Sequence, residues 1–320
     1  MGRNEEAKSS SAKESHSGIV VLDKPAGMTS QQAVSRVKRL LGVKKAGHSG
    51  SLDPAVTGVL PVLFGKATRL AEYVQELAKE YEAIARFGWS TDTQDGSGSV
   101  LAVGDASNLS CEAIGVALSE FVGDIKQVPP QYSALHVDGM RAYELARRGL
   151  VADLKARPVR IDWIELLSCE RDSQGSVFAR FRIACGKGTY VRTICHDLGS
   201  LLGVPAHMAS LVRLRSGPFG IEEAHGLAEL EQDPRPFILS MEAAVQHLPF
   251  VQIDEITAHK VTHGSSFETN VGMLGSYHGD IRVNGPDGAL LAIYAWDGVV
   301  QKGTGTVTAR KVLAAQEEML

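Results

Sequence analysis

Residues 47–70, GHSGSLDPAVTGVLPVLFGKATRL, constrain this chain more than any other stretch. Three glycines (Gly47, Gly50, Gly58) and Pro54 surround one carboxylate, Asp53. Glycine opens backbone conformations that side chains forbid, and proline biases the residue before it away from the α region. A bare Asp-Pro pair can simply cap a turn. Within this glycine frame, Asp53 is predicted to project from a fixed loop, where catalytic groups tend to sit. An apolar strand or buried turn follows over residues 59–64, then a helix over residues 66–78.

The rest of the chain alternates strands and helices without a regular βαβ rhythm. Residues 18–23 (GIVVLD) read as a short buried strand. Thr29 and Gln32 form a capping box for a helix bearing Ala33, Val34, Val37, Leu40 and Leu41, which Gly42 ends. Strands are predicted over residues 81–87, 99–103, 159–169 and 177–185, with Arg180 and Arg182 sharing one face of the last. Residues 132–137 with Asp138-Gly139 suggest strand and turn. Helices are predicted over residues 110–121, 143–148 and 189–202. This irregular order predicts an α+β class with a mixed or antiparallel sheet. Pro234, Pro236 and Pro249 mark a boundary. Beyond it, glycine-rich strands over residues 289–294 and 304–312 suggest a small β-barrel.

Composition excludes several classes. Hydrophobic residues make up 44% and charged residues 22% of 320, as in globular proteins, and no apolar run reaches the ~18 residues of a membrane helix. The polar N-terminus is predicted to be a disordered tail over residues 1–17. The four cysteines show no zinc or C-x-x-C spacing and read as reduced thiols of a cytoplasmic protein. The net charge of −4 is unevenly spread. Residues 36–69 hold seven Lys/Arg and one acid; residues 141–160 hold six and two; residues 222–255 hold one base and eight acids. Such a chain can present a basic face to phosphates. Residues 58–66 do not space a P-loop, Gly186-Lys187-Gly188 lacks the third dinucleotide glycine, and Ser51 stands where a nucleophile elbow needs glycine.

The segment 47–70 resembles the signature of the TruB family of pseudouridine synthases. Four further blocks are similar to that family in the same order: GIVVLDKPAGMTS (18–30), Lys79-Glu80-Tyr81, YSALHVDGMRAYELARRG (132–149) and GTYVRTI (188–194). Ser49, Ser51, Lys66, Arg69 and His136 depart from the residues frequent there, and a neutral His136 is a weaker phosphate partner than lysine. The resemblance implies a pseudouridine-synthase fold over residues 18–246 and a PUA-like RNA-binding barrel over residues 247–320. It implies isomerisation of uridine-55 in the T arm of tRNA, without cofactor or metal, by a monomer that touches the acceptor side through its C-terminal domain. Asp53 is then the nucleophile, attacking either the uracil ring or the sugar carbon. Arg192 stabilises its charge, and Tyr81 packs on the target base. His48, Tyr190, Leu211, Arg69 and Arg141 are the expected substrate-binding residues, with Arg36, Lys38, Arg39, Lys44 and Lys45 as collective phosphate contacts. The alternative is a non-catalytic RNA-binding protein on the same fold.

Overall fold

The computed structural model describes residues 17–137, 139–270, 274, 277–296, 298 and 304–314. The tail expected over residues 1–17 lies almost wholly outside them, as does Asp138. Strand β1 (Gly18–Lys24) leads into helix α1 (Ser30–Leu40), which carries the expected capping box. The Gln32 amide donates to the Thr29 hydroxyl at 3.2 Å, and the Thr29 amide donates to the Gln32 side chain at 2.8 Å. Gly42 ends the helix at φ +64°.

Eight further strands build one sheet with β1: β2 (Ala46–His48), β3 (Thr57–Phe64), β4 (Lys79–Phe87), β5 (Gly123–Gln127), β6 (Arg157–Arg171), β7 (Val177–Cys185), β8 (Ala206–Ser216) and β9 (Phe219–Gly220). Their order is β1-β3-β8-β4-β7-β6-β5, with β2 also on β3 and β9 on β8. Only the short β3–β8 contact is parallel, so the mixed, mostly antiparallel sheet is as expected. Strand β8, which joins the two halves, was not legible in the sequence. Irregularities at Met208/Ser210 and Arg213/Arg215 break its two-residue period, and polar side chains interrupt its apolar pattern.

The sheet is buried on both faces. Val20, Leu22, Leu60 and Val62 join the larger core under α1, α2 (Cys111–Ser119) and α3 (Val191–Leu201). Their neighbours Ile19, Val21, Val59 and Leu63 point into a second core on the other face. The helix expected over residues 66–78 is a 3-10 turn, Gly65–Leu70, and a short α-helix, Ala71–Glu76. That break lets Ala67, Leu70 and Val74 all enter the second core.

The C-terminal segment forms its own curled sheet from β10 (Phe250–Gln252), β11 (Phe267–Asn270), β12 (Gly279–Asn284), β13 (Leu290–Trp296) and β14 (Thr304–Val312), in the order β10-β12-β13-β14-β11. Leu290, Ile293 and Leu313 complete the second core, so this barrel-like unit packs against the back of the main sheet. The Tyr73 hydroxyl donates to Asp280 at 2.7 Å across the junction. Among the described residues no helix is long and apolar enough to cross a membrane, and all four cysteines are free.

Candidate active site

The Asp53 loop connects β2 to β3 and is clamped from both sides. Ser30, the first residue of α1, donates to the Leu52 carbonyl at 3.1 Å and accepts from the Leu52 amide at 2.8 Å. The fully buried Lys24 donates to the carbonyls of Pro25 (2.8 Å), Met28 (2.7 Å) and Pro54 (3.3 Å), and Gly27 N–H donates to the same Pro54 carbonyl. Residues 24–30 therefore hold the loop that carries Asp53. Of the three framing glycines, only Gly58 is required by its geometry. It sits at φ +98°, and a Cβ there would lie 2.2 Å from the Arg213 carbonyl oxygen. Gly47 and Gly50 adopt no such conformation and have room for a side chain, which corrects the expectation that all three hold Asp53.

Asp53 faces Arg192, whose Nη2 lies 3.2 Å from Asp53 Oδ2. Arg192 is almost completely buried near the start of α3. It also donates to the Tyr132 carbonyl at 2.8 Å, lies over the Tyr190 ring, and has Asp95 Oδ2 at 3.8 Å. Two carboxylates thus share one guanidinium. Asp95 comes from the 92–99 turn, where Gln94 takes φ +63° and accepts a hydrogen bond from Thr193 on α3 at 2.7 Å. The partner of this turn on α3 was not legible in the sequence.

The cavity above Asp53 holds about 310 Å³, at the small end of ligand sites. Tyr81, Tyr190, Leu211 and Arg192 line it with Asp53, so five of the eight expected site residues converge. Arg213, missed in the sequence, forms its floor. It is 1% exposed, donates through Nε to the Val59 carbonyl at 2.6 Å and through Nη2 to the Gly50 carbonyl at 3.2 Å, and is hydrogen-bonded to Tyr81. Burial pushes the phenols of Tyr81 and Tyr190 up, so both are neutral donors near neutral pH.

The other three expected residues do not line the cavity. His48 ends the edge strand β2, where its Nδ1 accepts from the Gly50 amide at 3.3 Å; burial pushes its pKa down, leaving it neutral. Arg69 donates to the Val312 carbonyl of β14 and so ties the main sheet to the C-terminal one. Arg141 lies exposed on the hairpin His136–Val137/Met140–Arg141. That hairpin follows directly on Ser133 and Ala134, which do line the cavity. Arg36 is bound to Glu231, so part of the basic stretch is spent on the acidic one.

Residues 38–191 match the TruB family pseudouridylate synthase (N terminal domain), and residues 192–246 match the tRNA pseudouridylate synthase B C-terminal domain. The tRNA pseudouridine synthase B of Halalkalibacterium halodurans is 42% identical over 283 residues, covering 87% of this chain and 92% of the relative. The chain belongs to the TruB family. The tRNA pseudouridine synthase B of Symbiobacterium thermophilum is 47% identical over 77% of this chain and 82% of its own length. Among solved structures, a Cbf5-Nop10-Gar1 complex contains a chain similar at TM-score 0.73 and 30% identity, covering 94% of this chain and 86% of that one. The α+β architecture is thus the pseudouridine-synthase fold, and the curled C-terminal sheet is PUA-like.

The TruB site sets its own pH dependence. Burial is the largest influence on Asp53 and raises its pKa; Arg192 opposes this, Asp95 adds to it, and Lys24 opposes it more weakly. The carboxylate tip opens into the cavity while protein surrounds the rest, so the net direction is upward despite the ion pair. Asp95 is different. Burial pushes it up, but bonds from Ser97 and Thr93 outweigh burial and hold it below its ordinary value. A carboxylate that acts ionised is active above its pKa. For a reaction in which Asp53 acts as an ionised carboxylate, the acid limb of kcat/KM is expected above the ordinary aspartate range near 4. Asp95→Asn removes the like charge and should move that limb to lower pH, measured as a pH–rate profile; an unmoved or upward-shifted limb contradicts the coupling.

Proposed function

We propose that this chain isomerises uridine-55 in the T arm of tRNA to pseudouridine, with Asp53 as the nucleophile. The observation that carries this reading is the Asp53–Arg192 contact at the base of a nucleoside-sized cavity walled by Tyr81, Tyr190 and Leu211. The reaction breaks the N1–C1′ bond of uridine, turns the uracil, and forms a C5–C1′ bond. The C5 proton leaves and N1 gains one. Electrons balance without an oxidant or reductant, so the chemistry asks for no cofactor.

An ionised carboxylate beside a fixed guanidinium suits this chemistry. Asp53 attacks either the uracil ring or the sugar carbon, and Arg192 holds it in line while stabilising its charge. Tyr81 offers an aromatic face to the base and, through its bond to Arg213, a phenol held in one direction. The target uridine must leave its stack to reach such a cavity, at a cost of a few kcal/mol. His48, neutral and beside the catalytic loop, is placed to take up space the base vacates. The Arg141 hairpin, rooted at the cavity mouth, supplies phosphate contacts. We assign residues 18–246 to catalysis and 247–320 to RNA contact on the acceptor side. Arg69 belongs to the junction between them, and the protein acts as a cytoplasmic monomer.

Tritium release from tRNA labelled at C5 of uridine tests the reading. Release mapped to the T-arm uridine is expected, with RNA affinity that falls as salt rises. A folded tRNA that binds but releases no tritium would favour the binding-only alternative.

A further inference from the structure

Gln75, Lys79, Lys187 and Gly188 line the same cavity and make a basic lobe of its wall. Lys79 there is only 6% exposed. Lys79 donates to the carbonyls of Gln75 and Leu77 at the end of the short helix Ala71–Glu76. Neither partner carries a charge, and no carboxylate forms an ion pair with Lys79 among the described residues. Lys187 lies on the Gly186–Gly188 loop, where Gly188 takes φ +80°. Lys187 is paired with Glu76, and this pair spans from the loop to the helix beside the lobe. Arg213 adds a third cation beneath.

The arrangement is a buried cation with no carboxylate in ion-pair contact, next to an exposed cation paired with a solvent-facing glutamate that also favours the charged form of Lys79. Burying an uncompensated ammonium is costly, and an anion entering the lobe relieves that cost. Burial lowers the Lys79 pKa to about 8, with Arg213 the next influence in the same direction. Lys79 and Tyr81 lie two residues apart on the same side of β4, about 7 Å along the strand. If Tyr81 meets the base, Lys79 stands where the backbone of the same nucleotide passes.

We propose that this lobe is a phosphate subsite: Lys79 and Lys187 hold one backbone phosphate flanking the everted uridine, with Lys187 exchanging Glu76 for it. This deepens the proposed function and rests on it. The subsite fixes the nucleotide from its backbone side while Tyr81 fixes its base. Lys79 and Lys187 are therefore positioning residues, and Glu76 keeps the lobe closed by charge until RNA arrives.

The test is a binding cycle with a T-arm stem-loop RNA. Lys187→Met should raise Kd about five- to tenfold and reduce the salt slope by about one. A neutral methylphosphonate at one of the two phosphates flanking the target uridine should weaken the native protein by a similar factor. It should weaken Lys187→Met by a smaller factor, because only Lys79 is left to meet that phosphate. Additive losses, or a native Kd and salt slope in Lys187→Met, would overturn the subsite. Lys79→Met should behave likewise, and Lys79→Arg should restore Kd. Lys187 is exposed, so the test stands even if Lys79→Met disturbs the helix end. Tritium release by the native protein is measured in parallel on whole tRNA. No release there counts against the proposed function, whereas the cycle reads the subsite through binding alone.

Discussion

Asp53→Asn is expected to reduce turnover by at least about 10⁴-fold while leaving RNA affinity within a few-fold of native. The substitution keeps shape and removes the carboxylate proposed to attack. The loop need not move, because Leu52 is held by Ser30 and Pro54 by Lys24 and Gly27. Arg192 retains Asp95 and the Tyr132 carbonyl. The fold should be at least as stable as native. Because the folded state raises the Asp53 pKa above its usual 3.8, it binds this proton more tightly than the unfolded chain does. Stability therefore declines as pH rises from about 4 through the raised pKa. At neutral pH the ionised carboxylate costs stability, and the amide removes that cost. Single-turnover tritium release, filter binding and thermal denaturation check the three parts. Retained turnover would refute the assigned nucleophile; lost affinity would make Asp53 a binding group instead.

What the sequence disclosed and what it hid divide along a physical line. Local signals were legible: the Thr29–Gln32 capping box, the stop at Gly42, and the alternation of Arg180 and Arg182, which both reach Glu82 on the next strand. That Asp53, Arg192 and Tyr81 meet in one cavity was legible through the motif blocks that resemble the TruB family. Asp95 and Arg213 were not, because their importance lies in partners far along the chain. Asp95 meets Arg192 across 97 positions, and Arg213 meets Val59 across 154. The same reason hid the protein partners of Arg69 and Arg36, two of the expected RNA contacts. A basic residue read along the chain looks free for phosphate. Folding gave Arg69 a carbonyl of β14 and Arg36 the side chain of Glu231. Strand β8 was hidden because its irregular register serves the site: it supplies both Leu211 and Arg213 to the cavity.

Gly58→Ala is expected to destabilise the protein by roughly 3–5 kcal/mol, from backbone strain and from overpacking together. At φ +98° a side chain is strained wherever it points, and here it points into backbone. The added methyl would lie 2.2 Å from the Arg213 carbonyl oxygen and 2.9 Å from its nitrogen. Gly58 and Arg213 face each other at the parallel contact between β3 and β8. Neither strand can yield freely, since β3 is held by β1 along its other edge and by β2 farther along the edge that meets β8, and β8 is held by β4. Separation of the two strands would displace Arg213 from Val59 and Gly50, and with it the Tyr81 phenol and the end of the Asp53 loop. The melting temperature should fall by roughly 10 °C or more, and turnover should fall even where the protein remains folded. Gly47→Ala is the control: no atom lies within 4 Å of its added methyl, and its backbone is one that alanine adopts. It should stay within about 0.5 kcal/mol of native. Equal loss in both variants would mean that the whole glycine frame holds the loop. Loss in Gly58→Ala alone would place the constraint at the β3–β8 junction, which sets Arg213 beneath the cavity and Asp53 at its edge.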